Sequence, residues 1–286
     1  MKTTVPIDPT GKDQATWTNV IRDLAVGRTL RAAPLANSPN AAHWLADFTR
    51  GNLLKRIDKL HDQLDLPANP FADLEHLLER YVREIPLRAF DIGTTDAARF
   101  ARWLWRHFEL TPHQRDALRV VRCRCAVEAL ARHQRLVYLR FHERHQWNLS
   151  AGIGWDLAVR EGMKLMVNPV RIWSTFETRW LLDEDADVVA RPVRRRTGEP
   201  TSPLSLPRGR YGVVFYAIAG EIGSVELAGE VRPVLNVLSG PPLRSVAEWT
   251  DRLAVSGNGL AAAPIEPADF AELIQVGVAC GLFAFA

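Results

Sequence analysis

Two β-prone runs joined by a short glycine-bearing connector, with helical spacing directly after the second, constrain this chain more than any other feature. Gly212-Val-Val-Phe-Tyr-Ala-Ile-Ala219 and Ser224-Val-Glu-Leu-Ala228 flank a Gly220…Gly223 turn, the pattern of a β-hairpin. An earlier run, Val170 to Trp180, is rich in β-branched and aromatic residues and predicts a further strand. After the hairpin, Val231, Val234, Leu235 and Leu238 share one helical face, and Gly240 with Pro241 and Pro242 stops that helix. Ser245 is placed to cap a second helix that carries Val246, Trp249 and Leu253 on one side. Pro267 opens a third, ending near Cys280 and Gly281. A three-stranded sheet packed on three helices is a winged-helix arrangement.

Upstream the spacing is helical. A helix is expected from about Asp13 to Arg31, with Trp17, Ile21 and Leu24 on one face. Asn40 can cap the next, whose stripe is Trp44, Phe48, Ile57, Leu60 and Leu64, with Gly51 as an interruption. Phe71 to Val82 is amphipathic, and Thr94 to Asp96 starts a helix through Phe100, Trp103, Leu104 and Phe108. Thr111 before Pro112 reads as an N-cap with proline at the first helical position. One long helix to about His145 is expected from there, and no strand is expected in this half. The fold class is therefore α+β, an all-helical domain over residues 1–150 followed by a winged-helix domain over residues 151–286. The segment Arg191 to Arg210, with four prolines, is expected to be a long loop inside the second domain.

Composition narrows the function classes. A chain of 286 residues that is 47% hydrophobic can bury a sizeable core, so it is not a disordered one. Its formal charge of +3 is compatible with an acidic peptide partner and far from a nucleic-acid signature. Three cysteines make no disulfide framework. Neither a signal peptide nor a run of about 18 apolar residues is visible, so a soluble cytoplasmic protein without membrane contact is expected.

Motifs that carry chemistry are sparse. Cys123 and Cys125 lie in a helix two residues apart, where side chains point about 200° from each other and cannot share a metal. They read as a small buried hydrophobe and a partly exposed thiol, and Cys280 as core. His142 and His145 could share a helix face as metal ligands do, but no carboxylate or thiolate completes the set. The acidic group Asp183, Glu184, Asp185 and Asp187 reads as a solvated turn. No phosphate loop, nucleophile elbow or paired-histidine zinc motif occurs. Arg194, Arg195 and Arg196, with Arg208 and Arg210, are the densest charge; they are either a solvated loop or an anion-binding lip for a peptide or partner.

The series Leu235, Leu238-Ser-Gly240, Ser245-Val-Ala-Glu-Trp249 and Gly281-Leu-Phe283 resembles the precursor-peptide recognition elements of ribosomal-peptide biosynthesis. Lys164-Leu-Met-Val-Asn-Pro-Val-Arg171, leading into Trp173 and Trp180, is similar to the start of the C-terminal domain in partner subunits of multinuclear non-heme iron oxidative enzymes. These partners serve methanobactin, 3-thiaglutamate and related pathways, the 3-thiaglutamate partner being the nearest in length and in its helical first half. The resemblance implies a non-catalytic subunit without a cofactor of its own. It would bind the leader of a precursor or carrier peptide and present the peptide's C-terminal cysteine to a TIM-barrel enzyme that holds the iron.

In such modules the leader adds as a strand beside the third strand of the wing and leans on the third helix. This is β-augmentation, in which backbone hydrogen bonds give affinity and alternate side chains give selectivity. Carried onto this chain, it places strand pairing at Ser224, Val225, Glu226, Leu227 and Ala228, with Phe270, Leu273 and Ile274 as the neighbouring wall. The alternatives are a winged-helix DNA-binding regulator and a metal enzyme in its own right. Against DNA, the third helix has no Arg or Lys and carries Glu266, Asp269 and Glu272 around its start.

Overall fold

Short local signals decide where the helices begin. The computed structural model describes residues 39–64, 66, 69–85, 95–178, 193–194, 211–229, 231–254 and 265–286. Helix α1 spans Pro39–Leu64 as one piece, so Gly51 does not interrupt it. Helix α2 is Leu74–Glu84 and α3 is Asp96–His107, where Thr95 accepts a hydrogen bond from the Ala98 amide. Helix α4, Pro112–His133, opens on a full capping box in which Thr111 and Gln114 satisfy each other's amides. The expected continuation to His145 ends instead at Gln134, whose φ of −104° and ψ of 28° leave the helical region. A separate helix, α5, then runs Arg135–Ser150. The expected helix over residues 13–31 lies outside the described residues.

Two compact units result: residues 1–109 with 189–194, and residues 110–188 with 195–286. The expected boundary at residue 150 is therefore displaced by about forty residues, because α4 and α5 pack into the second unit.

In the first unit, α1, α2 and α3 bury Ile57, Leu60, Leu64, Leu78, Phe100 and Leu104. Arg56 links all three helices. Its Nε donates to Asp96 at 2.7 Å, its Nη1 donates to the Ile85 carbonyl at 2.7 Å, and the guanidinium lies over the Tyr81 ring. Tyr81 also donates to Asp96, at 2.8 Å, and burial followed by that carboxylate raises its hydroxyl pKa. The strand-free expectation fails at one point. Phe108–Glu109 (β1) pairs antiparallel with Val193–Arg194 (β4), which also places those two residues outside the expected loop.

The second unit is built on a three-stranded antiparallel sheet. Strand β3 is Arg171–Phe176, β5 is Tyr211–Ile218 and β6 is Glu221–Leu227, in the order β3-β5-β6. The hairpin turn is Ala219-Gly220, with φ of 50° and 89°, a two-residue connection of the primed kind that suits strand twist. Strand β6 accordingly begins at Glu221, three residues before the expected start.

Helices α7 (Val231–Leu238), α8 (Val246–Ala254) and α9 (Pro267–Cys280) follow in the expected order. Val234, Leu235, Leu238, Val246, Trp249, Leu253, Phe270 and Ile274 join Val214 and Tyr216 in one core. Ser245 and Glu248 form a second reciprocal cap at the start of α8, at 2.8 and 3.2 Å.

Both faces of the sheet are covered. Helix α4 packs on β3 and β5, where Cys123 is hydrogen-bonded to Ser174 and burial raises its thiol pKa. A ribbon that the sequence pattern does not announce completes the unit. Leu165–Val167 (β2) pairs with Phe283–Phe285 (β7), after a short helix α6 at Trp155–Arg160. Gly281 makes the turn between α9 and β7, at φ +86°; a Cβ there would also lie 2.2 Å from the Ile218 side chain.

Three buried polar side chains fasten these pieces. Asn168 donates to the carbonyls of Ala217 and Gly281 at 2.8 and 3.0 Å and accepts from the Val170 amide at 2.9 Å. Asn148 on α5 accepts from the Phe285 amide at 2.7 Å and donates to its carbonyl at 3.2 Å, sealing the outer edge of β7 as a strand would. Asp116 on α4 accepts from the amides of Glu177 and Thr178, from the Thr178 hydroxyl and from Arg119.

Glu177 at the end of β3 takes Arg115 in a two-point contact at 3.1 and 2.9 Å and Arg119 at 3.3 Å. Burial alone raises the Glu177 pKa, but these two guanidiniums outweigh it and hold the carboxyl below the usual range. Its contribution to stability is therefore complete above the ordinary carboxylate pKa and lost as pH falls through the depressed folded value. The expected result is that Glu177→Gln flattens the fall of stability below about pH 4, followed by urea denaturation across an acid pH series. An acid limb identical to the parent's would refute this.

Candidate functional site: an open strand edge beside the last long helix

Strand β6 has a ladder partner on one side only among the described residues, because β5 lies between it and β3. Its outer edge thus offers a row of backbone donors and acceptors, the template that an added strand requires. No proline interrupts Glu221–Leu227, and the only charges are Glu221 and Glu226.

The register assigns the side chains to two faces. Val225 stands opposite Val214 and Leu227 opposite Gly212, so both lean toward the core shared with α7, α8 and α9. Ser224 and Glu226 stand opposite Phe215 and Val213 on the other face, the side on which α4 packs. Ser224 is exposed, Val225, Glu226 and Leu227 are half-buried, and Ala228 lies just past the end of the strand. All five expected pairing residues therefore belong to the edge strand or its immediate continuation.

The expected wall is only partly correct. Phe270 and Ile274 are 1% and 0% exposed, with Phe270 edge-on to Trp155 at 5.7 Å, so neither can meet an added peptide. They form the inward stripe of α9, and only Leu273 of the three stands at the surface of that core, half-buried. Val276, 48% exposed, and Cys280, half-buried, continue its flank at i+3 and i+7.

The flank is tied to β6 through Tyr216. The Tyr216 hydroxyl is hydrogen-bonded to Cys280, and burial followed by that thiol raises its pKa. The same ring covers Gly223, where an added Cβ would lie 2.8 Å from it. Val276, Cys280 and Tyr216 were not expected in the site. The spacing Leu273, Val276, Cys280 is the signal that could have found the flank, whereas Tyr216 becomes visible only once its strand partner is known.

Other sequence candidates are placed as follows. Arg195, Arg196, Arg208 and Arg210 lie outside the described residues, and Arg194 is known only as a backbone partner of Phe108. The acidic residues from Asp183 to Asp187 also lie outside them. His145 is buried and its Nε2 meets the Val278 carbonyl at 2.8 Å, while His142 is stacked on Tyr138. The two histidines thus serve different neighbours and do not converge. Among the described residues no group of three or more His, Cys, Asp or Glu is arranged to hold a metal ion, and no helix is long and apolar enough to cross a membrane.

The site defines a class only at the level of an α+β domain in which, among the described residues, the outer edge of β6 is open. No protein-family model, curated protein or solved structure matches the chain.

Proposed function

We propose that this chain is a non-catalytic recruiting subunit whose second unit is a winged-helix peptide-recognition module. In this reading a ribosomally made precursor or carrier peptide adds its leader as a strand along β6. The peptide's C-terminal cysteine is thereby presented to a TIM-barrel non-heme iron enzyme for oxidative modification of the 3-thiaglutamate type. The iron belongs to that enzyme, the complex is a heterodimer in the cytoplasm, and the first unit serves docking. Tethering of this kind raises effective concentration without new chemistry.

The observation that carries the reading is the unpaired edge of β6, joined through Tyr216 to Cys280 at the end of the half-buried flank of α9. Backbone pairing supplies affinity there, and the apolar flank supplies contacts for one set of alternate side chains. A DNA-reading role has less support. Helix α9 buries Phe270 and Ile274 and has Glu272 and Gln275 on its exposed side, a poor match for phosphates.

The test begins with recovery of the tagged chain from its native host and mass spectrometry of what is retained. A short peptide together with an iron-containing barrel enzyme is the expected result. The leader recovered in this way is then labelled and titrated against the parent and Ser224→Pro. Ser224 stands opposite Phe215 in a pair that exchanges no ladder bonds, so its amide faces the open edge. Proline there removes a donor from the peptide and none from β5, and affinity is expected to fall by at least about tenfold while the circular dichroism spectrum is unchanged. Unchanged affinity in a folded Ser224→Pro protein would sink the placement of the peptide. Stoichiometric metal in the chain purified alone would instead favour an enzyme.

A further inference from the structure

We infer that the outward face of α5 is a docking surface for a second protein that presents an acidic, amphipathic segment. The inner face of this helix is spent on the fold, burying Phe141, His145 and Asn148. Its opposite face is mixed: exposed apolar side chains alternate there with Arg140, Glu143 and Gln146, where a fully solvated face would carry polar residues alone. Leu136, Leu139 and Trp147 are 74%, 40% and 44% exposed and fall on that one face. They form a stripe about 16 Å long, at 1.5 Å of rise per residue.

Arginines surround the stripe. Arg132 at the end of α4 and Arg135, Arg140 and Arg144 on α5 are all exposed, and none forms an ion pair with a described carboxylate. Arg144 instead lies over the Trp147 ring, 5.3 Å from its centroid. Between this helix and β2 a cavity of about 370 Å³ is lined by Arg140, Glu143, Arg144, Trp147, Met166 and Ala286. Exposed tryptophan and arginine beside a concavity are the composition of an interface centre.

The charge selects the occupant. Unpaired arginines around apolar side chains fit a partner segment with leucine- or phenylalanine-type residues at helical spacing and Asp or Glu beside them. An anionic bilayer shares the charge but fits the shape less well. The surface is indented between α5 and β2, a shape that side chains of a folded segment can fill and a flat headgroup layer does not.

This inference does not rest on the peptide-recruiting role, and its test reads a different surface. The photoreactive residue p-benzoylphenylalanine is placed at Leu139 in the tagged full chain, irradiated in the native host, and the adduct is mapped by mass spectrometry. The expected adduct is one protein, joined through a segment of net negative charge with apolar residues at helical spacing. The double variant R140E/R144E, with its melting temperature unchanged, is expected to lower adduct yield at least about tenfold, and R140Q/R144Q to lower it less. Reversal of the partner's acidic residues to Arg is expected to restore binding to R140E/R144E. S224P is expected to leave the adduct unaffected, which separates failure here from failure of the peptide edge. Adducts with a second copy of this chain, with phospholipid, with a neutral or basic segment, or with nothing would overturn the inference.

Discussion

Replacing Asp116 by alanine is expected to lower the stability of the second unit by about 3–5 kcal/mol, among the larger effects available to a single substitution. The Asp116 side chain is fully buried, and its two oxygens take four donors from three residues. Removing it leaves the amides of Glu177 and Thr178 without an acceptor where β3 ends. It also removes the carboxylate closest to Arg119, which is 5% exposed and keeps its 3.3 Å contact with Glu177.

Burial raises the Asp116 pKa in spite of these donors, so the ionised carboxylate carries a desolvation cost that its partners offset. Asp116→Asn keeps an acceptor for the backbone amides and is expected to lose roughly half as much. Urea denaturation at neutral pH, followed by far-ultraviolet circular dichroism, reads both variants. A loss below about 1 kcal/mol for Asp116→Ala would show that the site relaxes around the missing carboxylate.

A comparable loss, on the order of 3–5 kcal/mol, is expected for Asn168→Leu. Leucine is close in volume but can neither donate nor accept, so three buried groups lose their partner together: the carbonyls of Ala217 and Gly281 and the amide of Val170. Each uncompensated group costs about 1–3 kcal/mol, and partial rearrangement keeps the sum below the simple total. Asn168 joins the end of β5, the turn after α9 and the entry to β3, so its loss should loosen the ribbon before the sheet. Hydrogen exchange is the discriminating measurement. Faster exchange of the Phe283 and Phe285 amides, with Val214 still protected, is the expected pattern, and uniform loss of protection would contradict it.

Both substitutions act at positions whose importance could not be read from the sequence. An asparagine before a proline reads as a turn residue, and an aspartate in the second turn of a helix reads as a dipole-favoured surface charge. Their partners are 49 and 113 residues away for Asn168 and about 61 for Asp116, so nothing local marks them. The same holds for β2 and β7, which are three residues each and lie 116 residues apart in the chain, from Val167 to Phe283. Such short segments carry too few alternations to register as strands, and they exist because each supplies the other's hydrogen bonds. The break at Gln134 has no proline or glycine to announce it.

The sequence by itself determined the features whose physics is local. Thr95, Thr111 and Ser245 cap their helices because a hydroxyl two or three residues before an orphan amide reaches it whatever surrounds it. The hairpin and the inward faces of α7, α8 and α9 follow from periods of 2 and 3.6, which a chain cannot alter without exposing its apolar residues. The class, α+β, and the order of three strands and then three helices were legible on that basis.

Tertiary structure alone decided which apolar residues of α9 remain at a surface. Phe270 and Ile274 lie on the stripe that periodicity singles out, and for that very reason the core consumes them. It also decided that β6, not β5, is the edge, and that α4 and α5 belong with the sheet. Pairing order and helix docking are set by contacts between residues far apart in the chain, whose free energy no short window of sequence contains.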